Sequence, residues 1–258
     1  MVVLEMTIER FVFTRLLPAT VALCALLGVL TTSVQASPLG RTAPTCRAGA
    51  TKSLVTSLRT YAVDTRGLVR VHRKPGGAVF ARFGPLNING VPTVFAALGA
   101  VLNADCKATW YRVMLPLKPN GQVGYVRARF VQLRPVQTRV VVDLSTRRLT
   151  TFKRGKPVLR ATIAIGARGT PTPVGRFYVN QRFLSDAAGP YGWAAIGISA
   201  FSETLRGWPQ GGPVAIHGTN RPSLLGLPVS NGCVRVTNAV VKRLWRLVPT
   251  GTPVLVQV

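Results

Sequence analysis

From Leu68 onward the chain is written in short β-rich runs broken by glycine and proline, and this punctuation constrains the fold more than any other feature. LVRVHR, AVFARF, TVFAAL, WYRVMLP and VGYVRARFVQL follow one another, with Pro75-Gly76-Gly77, Asn89-Gly90 and Pro119-Asn120-Gly121 among them. Runs of this length suit strands rather than helices, and Asn-Gly pairs favour tight hairpins. Five such strands make a small barrel over residues 59–135, ended by Arg134-Pro135.

A second unit spans residues 138–258. VVVDLSTRRLTTF alternates apolar and polar positions, and KPVLRATIAIG follows the turn at Arg154-Gly155, which predicts a hairpin. Gly166 to Gly175 is a loop, RFYVNQRF another strand, and PVAIHG a buried strand ending at a histidine. One segment predicts a helix. Thr237 and Asn238 can cap it, Val240, Val241, Leu244, Leu247 and Val248 recur at steps of three and four, and Pro249 ends it. The expected class is mainly β: a barrel, then a β-rich domain with one C-terminal helix.

The N-terminus supplies context. Arg10 and Arg15 precede an apolar stretch from Leu16 to Leu30, and Val34 and Ala36 fit a small-residue cleavage site. The core is about 15 residues long where a membrane span needs about 20, so residues 1–36 read as a secretory signal peptide. A retained anchor is the alternative. Residues 37–58 are small and polar and read as a linker or lead-in. The chain carries 33 Lys+Arg against 7 Asp+Glu, a net charge of +26, and cleavage after Ala36 leaves that value unchanged. Such a surface attracts polyanions in general. Export removes nucleic acid as the expected partner and leaves anionic cell-wall polymers in the envelope.

Export also gives the cysteines meaning. Cys24 leaves with the leader, so Cys46, Cys106 and Cys233 remain, an odd count in an oxidising compartment. Cys46 and Cys106 lie in the N-terminal half, which suggests that they pair and that Cys233 stays free. The chain has two histidines, His72 and His217, and His217 opens the segment HGTNRPSLLGLPVSNGCVRV that leads to Cys233. A thiol is a weak nucleophile until a base removes its proton, and an imidazole can do so. Gly232 allows close approach to the main chain, and the amides of Gly232 and Cys233 can face a developing oxyanion. Arg235 shares the strand face of Cys233 and can hold a carboxylate or carbonyl. A buried inert cysteine with a core histidine is the competing reading, and fast thiol labelling at neutral pH would favour the nucleophile. With no CxxC, no HxxxH and no nearby carboxylate, neither a metal site nor a cofactor is expected.

Two resemblances bear on these segments. WYRVMLPLKPNGQVGYVRARFVQL resembles the last strands of bacterial SH3-like domains, so Trp110, Tyr111 and Tyr125 either form a ligand groove or pack in the core or rim. His-Gly followed by Ser-x-Gly-Cys-Val-Arg resembles the signature of the L,D-transpeptidase catalytic domain, the YkuD-like family. VVVDLSTRRLTTF is similar to that family's opening hairpin and GTPTPVGRFYV to its Thr-Pro loop. The likeness covers about residues 138 to 258. It implies Cys233 as nucleophile and His217 as general base. It also implies an oxyanion and substrate-binding region built from Ser230, Asn231, Gly232, Arg235, Gly218 and Thr219. Many members carry a second histidine where this chain has Asn231, which cannot titrate. The implied reaction acylates the thiol with a peptidoglycan tetrapeptide stem and transfers the acyl group to an acceptor amine. Water as acceptor would make it an L,D-carboxypeptidase, and carbapenem-type inhibitors are implied ligands. The remaining alternative is a non-catalytic cationic envelope-binding protein.

Overall fold

A computed structural model describes residues 45–205 and 207–258; the expected signal peptide and the first residues of the expected linker lie outside them. The architecture is mainly β, with one α-helix among the described residues. Eight strands form the N-terminal sheet: β1 (Thr51–Ser53), β2 (Thr60–Thr65), β3 (Val69–His72), β4 (Val79–Phe83), β5 (Val94–Leu102), β6 (Ala108–Met114), β7 (Val123–Arg127) and β8 (Val131–Val136). Their order is β4-β3-β7-β6-β5-β2-β8, with β1 added on β5, and every pairing is antiparallel. The sequence predicts five of these strands; part of the expected linker supplies β1. Alternation decides which face is covered. Val69 and Val71 point into a core with Val63, Phe95, Val113, Leu115 and Val126, while Arg70 between them is exposed.

Only Gln137 separates β8 from the second sheet. That half contains β9 (Thr138–Asp143), β10 (Arg148–Lys153), β11 (Lys156–Thr162), β12 (Ile165–Gly166), β13 (Gly175–Leu184) and β14 (Ala194–Phe201). It continues with β15 (Pro213–His217), β16 (Pro228–Ser230), β17 (Val234–Arg235), α1 (Asn238–Leu247) and β18 (Pro253–Gln257). The main sheet runs β11-β10-β9-β18-β13-β14-β15-β17, while β12 and β16 form a separate parallel pair. Two contacts in the main sheet are parallel, β18 with β9 and β15 with β17. The Asp143 carboxylate accepts from the Thr146 amide and from the Ser145 and Thr146 hydroxyls, which closes the β9–β10 turn. These donors favour the charged form and hold Asp143 well below the usual carboxylate range.

The helix starts where its cap is written: the Thr237 hydroxyl accepts from the Val240 amide at 3.2 Å. Val241 and Leu244 are buried, and the helix packs against β14 and β15 beside the segment that carries His217.

The two sheets are joined by specific contacts. Arg134 makes a two-pronged pair with Asp64 at 2.9 and 3.0 Å and also donates to the Thr250 hydroxyl. The Asn120 amide bonds both backbone groups of Phe201. A Cβ on Gly251, whose φ is 84°, would fall 2.3 Å from the Ala62 Cβ. A disulfide joins Cys46 to Cys106 across 60 residues and ties the lead-in to the β5–β6 turn.

Candidate active site

His217 ends β15 and Arg235 ends β17, and the parallel register sets Ile216 beside Val234 and His217 beside Arg235. Strand side chains alternate faces, so Ala215 and His217 point the same way, as do Arg235 and Cys233 two residues before it. The result is a cleft of about 590 Å³ lined by His217, Ser230, Asn231, Cys233 and Arg235. Five of the positions picked from the sequence therefore come together. Gly218, Thr219 and Gly232 do not line it.

Each of those three is committed elsewhere. The Gly232 amide donates to the Ser230 hydroxyl at 3.1 Å, so it is not the open oxyanion donor that the sequence suggests. Its role is conformational: φ is 106°, a region that an L side chain rarely adopts. The Ser230 hydroxyl in turn donates to the Cys233 carbonyl at 2.6 Å, so buried Ser230 shapes the turn that carries Cys233. Thr219 is buried and accepts from the Arg221 amide in its own loop. The carbonyl of Gly218 accepts from His217 Nδ1 at 2.6 Å, which fixes that nitrogen as the protonated one and leaves Nε2 as the basic site.

Segments distant in sequence brace this arrangement. The Ser230 carbonyl accepts from the Ala167 amide at 2.8 Å and the Thr170 hydroxyl at 2.9 Å, and the Thr172 hydroxyl accepts from the Gly166 amide. The Thr-Pro loop is thereby a bracket under the cysteine turn. On the histidine side, Asn238 Oδ1 accepts from the Trp193 amide and its Nδ2 donates to the Ala187 carbonyl. A Cβ on Gly218 would come within 2.2 Å of that same Oδ1, so only glycine fits between β15 and the helix start. The loop so held presents Tyr191, whose ring meets the His217 ring edge-on with centroids 5.0 Å apart. Tyr191 does not stand out in the sequence, where a tyrosine in Gly-Pro-Tyr-Gly reads as a turn, and Asn238 is legible there only as a candidate helix cap.

The opposite wall is built from amides and comes partly from the first sheet's β4–β5 loop. Gln181 is buried, and its Oε1 accepts from Asn87 Nδ2 at 3.1 Å and Asn89 Nδ2 at 2.7 Å. Asn89 Oδ1 accepts from Gln210 Nε2 at 2.8 Å. Asn89, Gln181 and Gln210 line the cleft together with Phe183, Leu205 and Trp208. His72 is elsewhere, with its ring edge-on to Trp110.

Burial sets the protonation of the pair. Desolvation depresses the His217 imidazole to about 4, helped by the Arg235 charge and opposed by backbone hydrogen bonds to Gly218 and Tyr191. Desolvation pushes the Cys233 thiol up, against a hydrogen bond to the Ala215 backbone and the Arg235 charge. Both partners therefore rest neutral at pH 7. Fast labelling at neutral pH, which would favour the nucleophile over an inert cysteine, is opposed by this burial of the thiol. Arg235 Nε is buried with no hydrogen-bond partner among the described residues, a donor facing a site that can supply an acceptor.

Residues 137–256 match the family model of the YkuD L,D-transpeptidase catalytic domain. The chain is 30% identical over 133 residues to a Bacillus subtilis protein named as L,D-transpeptidase YqjB, a match covering 47% of this chain and 72% of that one. It is 35% identical over 118 residues to one named as L,D-transpeptidase YkuD in Bacillus licheniformis, covering 45% of this chain and 63% of that relative's length. A crystal structure of a mutant Enterococcus faecium L,D-transpeptidase aligns at 28% identity and a TM-score of 0.38, over 46% of this chain and 49% of that one. The chain belongs to the L,D-transpeptidase catalytic-domain family.

Proposed function

We propose that the protein is an exported cysteine L,D-transpeptidase that joins peptidoglycan stem peptides through an acyl-enzyme on Cys233. The observation that carries this reading is the placement of a free thiol, a buried neutral imidazole and an arginine on one face of adjacent strands, in a cleft large enough for a peptide. A neutral pair suits general-base attack. His217 takes the thiol proton as sulfur adds to the carbonyl of the third stem residue. The amide to the terminal D-alanine then breaks, and His217 returns the proton to the leaving amine. In the second half an acceptor amine attacks the thioester, His217 takes its proton, and the thiol is released. Because Gly232 is committed to Ser230, the oxyanion falls to the Cys233 amide with Arg235 beside it.

The leader expected at residues 1–36 supports a setting in the cell envelope, where a net charge of +26 would favour anionic wall polymers. The test is mass spectrometry of disaccharide-tetrapeptides incubated with the protein. Cross-linked dimers with loss of D-alanine are expected, and they should vanish in Cys233→Ala. Tripeptides without dimers would assign the chain as an L,D-carboxypeptidase. Unchanged substrate would leave only the envelope-binding role.

A further inference from the structure

The outer face of the N-terminal sheet carries a second cavity, of about 410 Å³, that shares no residue with the cleft. Arg70, Arg82, Arg127 and Arg129 line it, with His72 and Phe130. Arg70 lies directly opposite Arg82 across β3 and β4. His72 pairs with Tyr125 across β3 and β7, and Arg127, two residues beyond Tyr125, lines the same cavity as Arg70. Arginines from three neighbouring strands, β4, β3 and β7, thus line one cavity. Like charges set directly opposite destabilise a sheet. No acidic residue lines the cavity, and among the described residues the ion pair found is Arg134 with Asp64, elsewhere.

The orientation of these groups also fits a ligand. Arg127 stacks over the Trp110 ring at 4.5 Å and Arg129 over the Phe130 ring at 4.7 Å. Stacking occupies the face of a guanidinium and leaves its N–H edge free, the edge that binds phosphate in a fork. All four cations are arginine, the residue suited to that planar recognition. Neighbouring strands lie about 4.8 Å apart, so three of them span roughly 10 Å, more than a single small anion fills. Phe130 is 44% exposed with the Arg129 guanidinium over its ring, and a lone ring among four arginines offers little apolar area to a bilayer.

We propose that this face binds a linear phosphodiester polymer, with successive phosphates seated on Arg82, Arg70 and Arg127. The test is fluorescence anisotropy of a labelled glycerol-phosphate oligomer titrated with the full chain. Arg70→Gln/Arg127→Gln is compared with Arg148→Gln/Arg160→Gln, which removes the same charge from exposed positions on β10 and β11. The first pair should weaken binding about tenfold or more and lower the slope of log affinity against log salt by about two. The second should change affinity by less than about twofold. Equal weakening by both pairs overturns the proposal, as does equally tight binding of polyglutamate of matched charge. Binding to anionic phospholipid vesicles without binding to the oligomer overturns it in favour of a membrane surface. All four arginines substituted are exposed, so matching thermal melts verify that the variants fold.

Discussion

The N-terminal sheet holds its histidine, His72, half-buried on an outer face crowded with arginines, whereas the C-terminal sheet buries His217 beside a thiol and one arginine. Both rings sit near aromatic side chains and both direct Nδ1 at a backbone carbonyl 2.6 Å away. What separates them is the surrounding dielectric. Burial depresses His217 to about 4 and keeps its ring neutral against a neutral thiol. His217 therefore lies enclosed in the cleft with Cys233 and Arg235, whereas His72 lies on a face lined by arginines.

The contrast breaks most visibly by substitution. His217→Ala should slow acylation of Cys233 by about 10²- to 10⁴-fold, or about 3 to 5 kcal/mol of barrier, while His72→Ala leaves the rate unchanged. Single-turnover acylation rates at saturating donor check this, and a comparable loss from His72→Ala would dissolve the distinction. Next in size is the staple on the N-terminal side. Replacing both Cys46 and Cys106 with alanine opens a loop of 60 residues and should cost about 4 kcal/mol in denaturant unfolding by the chain-entropy model. Acylation measured well below the unfolding midpoint should be little affected, because the cleft draws on that module only through Asn89 and Val91.

Acid sharpens the comparison further. The folded His217 binds its proton at about 4, while the unfolded ring binds near 6.5, so the unfolded state takes up more protons between those values. Its neutral form is fully present in both states above about pH 6.5, and the fold loses stability as pH falls toward about 4. The loss approaches about 3 kcal/mol. Unfolding free energies from pH 7.5 to 4 should show this slope in the wild type and a flatter one in His217→Gln. Identical slopes in the two proteins would contradict the burial argument.

The smallest effect belongs to Asn231, which is exposed at the cleft rim and can offer only an oriented amide. Asn231→Ala should slow acylation by on the order of tenfold or less, and Asn231→His should be tolerated. A loss in Asn231→Ala equal to that in His217→Ala would move the base role.

How much of this is legible in the sequence follows the range of the interactions. Hairpins write themselves locally: the Arg154-Gly155 turn takes positive φ at both residues and joins β10 to β11. The helix is legible through its Thr237 cap and its spacing. β14 is not, because AAIGISAF is buried on both faces over seven of its eight residues and shows no alternation. β18 is also hidden, since its parallel partner β9 lies more than a hundred residues away and no local signal encodes that pairing. At the site, Cys233, His217 and Arg235 are legible as chemistry. The Gly232 amide is misjudged because its capture by Ser230 depends on the closed turn. Asn89 and Gln181 are invisible because they meet only when the two sheets dock.

The central claim is that Cys233 is the acyl-accepting nucleophile of an L,D-transpeptidase. Intact-mass analysis of the protein exposed to a carbapenem, and separately to a tetrapeptide donor, tests it most directly. We predict a single adduct with each, on the peptide containing Cys233 and absent in Cys233→Ala. An adduct that persists in that variant, or no adduct from either donor in a folded protein, would contradict the account.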